Sequence, residues 1–214
     1  MRRERSGGQA QGTAEALPQS FAAPIADAAI DAAGGFAERL VADAQAGDRV
    51  AFDELVARRL DPAFRIALGI LGDEADARDA TQDAFVASWR QLRHLRDPAR
   101  FDGWFGRILV NCCREQLRRR RRTSIREIQV LDCPDGDEPV SRDRPIDEEA
   151  VELDAIERAF GRLSVPDRAI LVLHHVEQQP LAMIAAALGV PVGTAKSRLF
   201  AARRALEQAM EAER

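Results

Sequence analysis

At 214 residues the chain can form two small domains but not two large ones. Hydrophobic residues at 46% permit real cores, whereas 31% charged residues, 5% aromatics and no tyrosine argue against a sheet-rich enzyme and for small helical units. The net charge of −4 excludes a uniformly basic nucleic-acid binder, so any contact with phosphate must come from local concentrations of positive charge. Such a concentration lies at residues 90–122, where Arg90, Arg93, Arg96, Arg100, Arg107, Arg114 and the run Arg118 to Arg122 face only Asp97, Asp102 and Glu115. Residues 132–157 reverse the balance with eleven acids, from Asp132 to Glu157. The expected fold class is all-α, with two small helical domains joined by a flexible acidic linker.

In chain order, residues 1–35 are rich in Ala, Gly, Gln and Ser and read as a mobile tail, with a transient helix at residues 25–33. From Phe36 the pattern becomes amphipathic: Phe36, Leu40 and Val41 begin a helix that stops near Gly47. Asp48 then caps a helix carrying Val50, Phe52, Leu55 and Val56. Asp61-Pro62 predicts a break or a new start, because the residue before proline avoids helical geometry. Phe64, Ile66, Ala67, Ile70 and Leu71 continue the apolar side to Gly72. After the Gly72-Asp73 cap, Ala77, Ala80, Thr81, Ala84, Phe85 and Ser88 predict a packing face of small residues. Asp76, Asp79, Gln82, Asp83 and Val86 form an acidic outer surface, either plainly solvated or a protein contact. Asp97-Pro98 ends this segment in a short loop at residues 95–100.

Residues 101–122 predict a long helix with Trp104, Phe105, Ile108, Leu109, Cys112 and Leu117 on its apolar side. Its five consecutive arginines are either a helix C-terminus complementing the dipole or a disordered basic tract. Residues 123–145 carry Pro134, Gly136, Pro139 and Pro145 among acids and predict a connector without structure of its own. Residues 181–206, LAMIAAALGVPVGTAKSRLFAARRAL, form a helix-turn-helix pattern. Leu181, Ile184, Ala185 and Leu188 share a face, Gly189 supplies the turn, and Pro191 opens a second helix. Val192, Ala195, Leu199, Ala202 and Leu206 predict the packed face of that helix. Thr194, Ser197, Ala201 and Arg204 lie opposite with Lys196 and Arg198 beside them, hydroxyls and cations suited to base edges and phosphates. A basic amphipathic helix in a small bundle is the alternative.

Cys112, Cys113 and Cys133 are odd in number and lack a CxxC pair, so neither a disulfide framework nor a metal site with His174 and His175 is expected. No membrane span, signal peptide, nucleophile-base pair or phosphate loop is visible, which predicts a cytoplasmic protein that is not an enzyme and uses no cofactor or metal.

Four stretches in order, GDRVAFDELVARR, DEADARDATQDAFVASWR, FDGWFGRILVN and LSVPDRAILVLHHVEQQPLAMIAAALGVPVGTAKSRLFAARRAL, resemble the extracytoplasmic-function (ECF, group 4) sigma factors of bacterial RNA polymerase. The resemblance implies a region 2 domain at residues 36–122, an acidic linker at 123–145, and a region 4 domain at 146–214 with supporting helices near residues 147–163 and 166–177. It implies binding to the clamp helices of the largest polymerase subunit through Asp76, Asp79, Gln82 and Asp83, with Phe85 beneath. Leu95, Arg96, Arg100, Trp104, Asn111 and Arg118 would capture and melt the −10 element, and Thr194, Lys196, Ser197, Arg198, Phe200 and Arg204 would read the −35 element as duplex. The linker would approach the polymerase cleft, its acids imitating an RNA backbone or serving as a solvated spacer. An anti-sigma factor is the further partner implied. Met183, Ala201, Arg78 and Ala80 depart from the family pattern at a usual Glu, a frequent Arg, and acidic and aliphatic positions. A stand-alone helix-turn-helix regulator is the alternative function.

Overall fold

The computed structural model describes residues 34–130 and 148–212, which belong to one unit, and every regular element among them is helical. Residues 1–33 of the expected tail and residues 131–145 of the connector, Cys133 among them, lie outside the described residues, whereas Gly34 and Gly35, expected in the tail, and residues 123–130, expected to lack structure, are helical. Helix α1 (Gly34–Gln45) is followed by α2 (Arg49–Leu71), whose N-terminus is capped by Asp48 accepting from the Val50 and Ala51 amides. Helix α2 ends where Gly72 adopts φ 70°, a left-handed conformation that favours glycine. The break expected at Asp61-Pro62 is absent, since α2 runs through Pro62. Buried Ala63, Ile66 and Ala67 pin the turn that follows, and the carbonyl that Pro62 leaves unbonded belongs to exposed Arg58, where water can meet it.

Helix α3 (Glu74–Gln91), capped by Asp73, buries the six residues expected: Ala77, Ala80, Thr81, Ala84, Phe85 and Ser88. These small side chains let α3 lie close against α2 and α4, while Phe85 packs on Phe105 with ring centroids 4.8 Å apart. Helix α4 (Phe101–Val130) extends eight residues beyond Arg122. The arginine run is therefore neither a helix terminus nor a disordered tract but mid-helix, because adding residues to an established helix costs far less than starting one.

Helices α5 (Glu148–Arg162), α6 (Val165–Leu171), α7 (Leu181–Leu188) and α8 (Val192–Glu211) form the second module. A π-turn at Val172–Val176, closed by the Glu177 amide donating to the Val172 carbonyl at 3.0 Å, continues α6. Gly189 at φ 66° turns α7 into α8 as the sequence pattern requires. Ala195, Leu199 and Ala202 are buried; Val192, expected with them, is 50% exposed because it opens α8 and projects past the supporting helices.

The modules pack on each other through α4 with α7 and α2 with α6. Helix α7 approaches α4 so closely that a Cβ at Gly103 would lie 2.8 Å from the Ala186 Cβ, and one at Gly106 would lie 3.1 Å from the Ala187 Cβ. Each glycine weakens a helix interior by roughly 0.5–1 kcal/mol relative to alanine, and close approach of α7 offsets that cost here. Ile70, Leu109, Ile170, Leu173 and Ile184 are buried within the continuous core that results.

Candidate nucleic-acid and protein interfaces

The outer face of α3 presents Asp79, Gln82 and Asp83 to solvent, with Val86 41% and Trp89 37% exposed beside them. Phe85, expected beneath this face, is in the core at 8% exposure and holds α3 in place from below. Ala80 is fully buried in the core, and Arg78 pairs with Glu74 one turn back. Arg119 reaches Asp83 and Arg120 reaches Asp76, both at 3.4 Å. The basic run of α4 therefore lies along the acidic face of α3. Pairs this exposed are worth about 0–1 kcal/mol, so a partner's cations can replace them.

The loop between α3 and α4 is held at both ends. The Gln45 amide donates to the Leu92 carbonyl at 3.0 Å and to the Leu95 carbonyl at 2.6 Å. Asp97 accepts from the Ala99 amide at 3.1 Å and pairs with Arg100 at 3.2 Å. Arg59 clamps Asp102 with a two-bond fork at 2.8 and 3.1 Å. Between loop, α1 and α2 lies a cavity of about 160 Å³ lined by Val41, Leu55, Arg59, Pro98, Phe101 and Asp102, among others. Arg96 and Arg100 are exposed and Leu95 is half-buried. On α4, Trp104 is half-buried against Phe101 at 5.9 Å, while exposed Asn111 accepts from Arg114 at 3.2 Å. Trp104, Asn111 and exposed Arg118 recur every seven residues and share one stripe of α4 that starts near that loop and runs away from it, Arg118 lying beside Val165 and Pro166. Gln45, Arg59 and Asp102 escaped sequence reasoning because their partners lie 43 to 50 residues away.

Helix α8 exposes Thr194, Lys196, Ser197, Phe200 and Arg204, with Arg198 half-buried. Ser197 donates back to the Gly193 carbonyl at 3.2 Å, leaving its lone pairs outward, and Phe200 is 65% exposed. Ala201 stands exposed on this face, and Met183 is half-buried on α7. A surface free of acid, with hydroxyls between cations, suits a major groove.

Arg203 was missed. Its Nε donates to His175 Nε2 at 3.2 Å, and the His174 ring meets that of His175 edge-on at 4.6 Å. Burial first, then His174 and Arg203, holds His175 below the ordinary histidine range; burial and Arg203 do the same to His174. The folded chain thus binds these protons more weakly than the unfolded chain, so stability present above pH 6.5 is lost as pH falls through the folded values. Thermal melts are expected to show a larger drop in Tm from pH 7.5 to 5.5 for the wild type than for His174→Gln with His175→Gln. Equal drops would exclude this pair as the cause. Burial pushes the Cys113 thiol up to about 12, and burial together with Asp83 raises that of Cys112. Among the described residues no group of three or more His, Cys, Asp or Glu is placed to hold a metal ion.

The Sigma-70 region 2 model matches residues 55–123 and the Sigma-70 region 4 model matches residues 153–206. The ECF RNA polymerase sigma factor SigM of Mycobacterium tuberculosis is 34% identical over 177 residues, covering 81% of this chain and 86% of its own. This chain belongs to the ECF sigma factors. The RNA polymerase sigma-H factor of Pseudomonas aeruginosa is 30% identical over 181 residues, 81% of this sigma factor and 93% of its own length. Among solved structures, CnrH in complex with the cytosolic domain of CnrY superposes with a TM-score of 0.59 at 27% identity, covering 83% of this sigma factor and 99% of that chain. The sigma factor RpoE of Bartonella quintana, solved with the anti-sigma factor NepR, has the same fold, with a TM-score of 0.54 at 21% identity over 76% of this chain and 98% of that one. No described helix of this sigma factor is long and apolar enough to cross a membrane.

Proposed function

We propose that this sigma factor binds core RNA polymerase through the outer face of α3, captures the −10 element at the loop before α4, and reads the −35 element with α8. It works in the cytoplasm, supplies no catalytic chemistry of its own, and an anti-sigma factor restrains it, a reading supported by the complex of RpoE with the anti-sigma factor NepR. The observation that carries this reading is the presence of both matched regions in order on one chain, each with an exposed face of fitting chemistry: acids and apolar side chains on α3, hydroxyls and cations on α8.

Clamp-helix docking rests on Asp79, Gln82 and Asp83, with Val86 and Trp89 supplying apolar area; Asp76, 25% exposed and paired with Arg120, lies at the margin. At the −10 element the half-open cavity behind Pro98 offers a recess for an unstacked base, with the Arg59–Asp102 fork supplying both donors and acceptors. Unstacking costs a few kcal/mol, which stacking and cationic contacts from Arg96, Arg100 and Arg118 offset. Leu95 and Trp104 shape the apolar edge of that path, and Asn111 presents an amide along it. At the −35 element Lys196 and Arg198 neutralise phosphates while Thr194, Ser197 and Arg204 reach base edges, Phe200 packing beside them.

The reading is tested by mixing the purified chain with core polymerase and a promoter library. New, discrete transcript starts are expected; a core that stays inactive would leave only a stand-alone DNA-binding regulator. Arg204→Ala is expected to weaken −35 duplex binding by about 1–3 kcal/mol and relax specificity at one base pair, whereas Lys196→Ala lowers affinity evenly and reduces the salt slope by about 0.9. Titration over several salt concentrations separates the two, and equal effects on every sequence from Arg204→Ala would remove it from base readout.

A further inference from the structure

We propose that Lys196 is an acylation site that accepts the acyl group of a small acyl phosphate, and that its acylation removes one of the cations with which α8 holds the −35 duplex. The first observation is one of composition. The chain carries 31 lysine and arginine residues, and Lys196 is its single lysine. Arginine and lysine are alike as charges but not as reagents. A guanidinium stays protonated and does not attack acyl groups, whereas the ε-amine of lysine is the usual target of acylation, which removes its charge. Every arginine thus keeps its charge under an acyl donor, and one exposed side chain does not.

The structure ties that chemistry to DNA. Lys196 is exposed in the second turn of α8, beside Thr194, Ser197 and Arg198. The first acid of α8 is Glu207, so no carboxylate of this helix stands at the i+3 or i+4 spacing that would pair with the amine. Val192, 50% exposed, lies one turn before it and Phe200, 65% exposed, one turn after. As an ammonium the group belongs in water or on a phosphate; as a neutral amide it can lie against the Phe200 ring and cover apolar area there. Competing thiols are poor nucleophiles, because burial pushes Cys113 up to about 12 and raises Cys112, and only the thiolate reacts. An acid-free cationic face also draws in an anionic donor. In the transfer, neutral Nζ attacks the acyl carbonyl carbon and the carbon–oxygen bond to phosphorus breaks. Inorganic phosphate leaves with the electron pair, and the nitrogen gives a proton to water as the amide forms. Nothing is oxidised or reduced.

The proposal rests on the −35 reading above, and the full chain tests it. The chain is treated with acetyl phosphate, washed with hydroxylamine to strip acyl groups from thiols and imidazoles, and mapped by peptide mass spectrometry. A stable acetyl group is expected on Lys196. Binding to a −35 duplex should then weaken roughly threefold to tenfold at about 0.15 M salt, and the slope of log K against log salt should shrink by about 0.9, the loss of one phosphate contact. Lys196→Arg keeps a cation but has no amine to acylate, so the same treatment is expected to leave its affinity and slope where they began. A wild-type chain that stays unmodified at Lys196 overturns the proposal. So does an acetylated chain that binds as tightly as the untreated one while Arg204→Ala still weakens binding, and so does a Lys196→Arg chain that loses as much affinity on treatment as the wild type. Absence of any effect from Arg204→Ala as well would instead fell the −35 reading, and the mass map still decides the modification site.

Discussion

Asp79→Arg combined with Asp83→Arg is expected to weaken binding to core RNA polymerase by about 2–5 kcal/mol while leaving the fold intact. Both side chains are exposed on α3, and the helix is held from its opposite side by buried Ala77, Ala80, Thr81, Ala84 and Phe85. Reversing Asp83 also sets two arginines against each other, since Arg119 lies 3.4 Å away, but an exposed pair of this kind contributes about 0–1 kcal/mol, too little to unfold the chain. Holoenzyme assembly measured against thermal melts separates docking from stability. Glu207→Arg, an exposed acid on α8, serves as the control. If the α3 variant assembles as well as that control, polymerase does not dock on α3.

Ile184→Ala is expected to destabilise the chain by about 2–5 kcal/mol, the cost of deleting buried methyls and leaving a cavity. Ile184 is fully buried in α7, which is packed between α4 and α8 with no room for solvent to relax the gap. At about 2–4 °C per kcal/mol for a chain of this size, Tm should fall by roughly 4–20 °C. Ile184→Val should cost only about 0.5–1.5 kcal/mol. Met183→Ala, one position away but half-buried, should fall below Ile184→Ala. Thermal or urea unfolding of the three variants gives the order directly; a Met183 variant at or above the Ile184 loss would misplace the inner face of α7.

How far local pattern reaches is clear from α3 and α7. The six buried residues of α3 were all legible, because a stripe of small side chains between acids leaves one face that can pack. The Gly189 turn was legible because φ 66° favours glycine and Pro191 cannot continue the preceding helix. Pro62 and the arginine run were misjudged for one shared reason. Proline and clustered charge oppose a helix locally, but α2 is carried through Pro62 by the buried residues after it, and α4 propagates beyond Arg122 once formed.

What the amino-acid order determined alone was the helical class, the caps, the helix-turn-helix and the family, since these depend on spacings within a few turns. Only tertiary structure decided that Gln45 and Arg59 hold the loop before α4, that Arg119 and Arg120 lie against the acids of α3, and that Arg168 reaches the end of α2. Gly69, Gly103 and Gly106 read on paper as weak points in helices; their use appears when α7 and the π-turn arrive within van der Waals distance. Backbone periodicity says which side of a helix is apolar. Which other helix covers that side depends on a contact up to 112 residues distant in the chain, as Arg65 with Glu177 shows, and no short-range spacing encodes it.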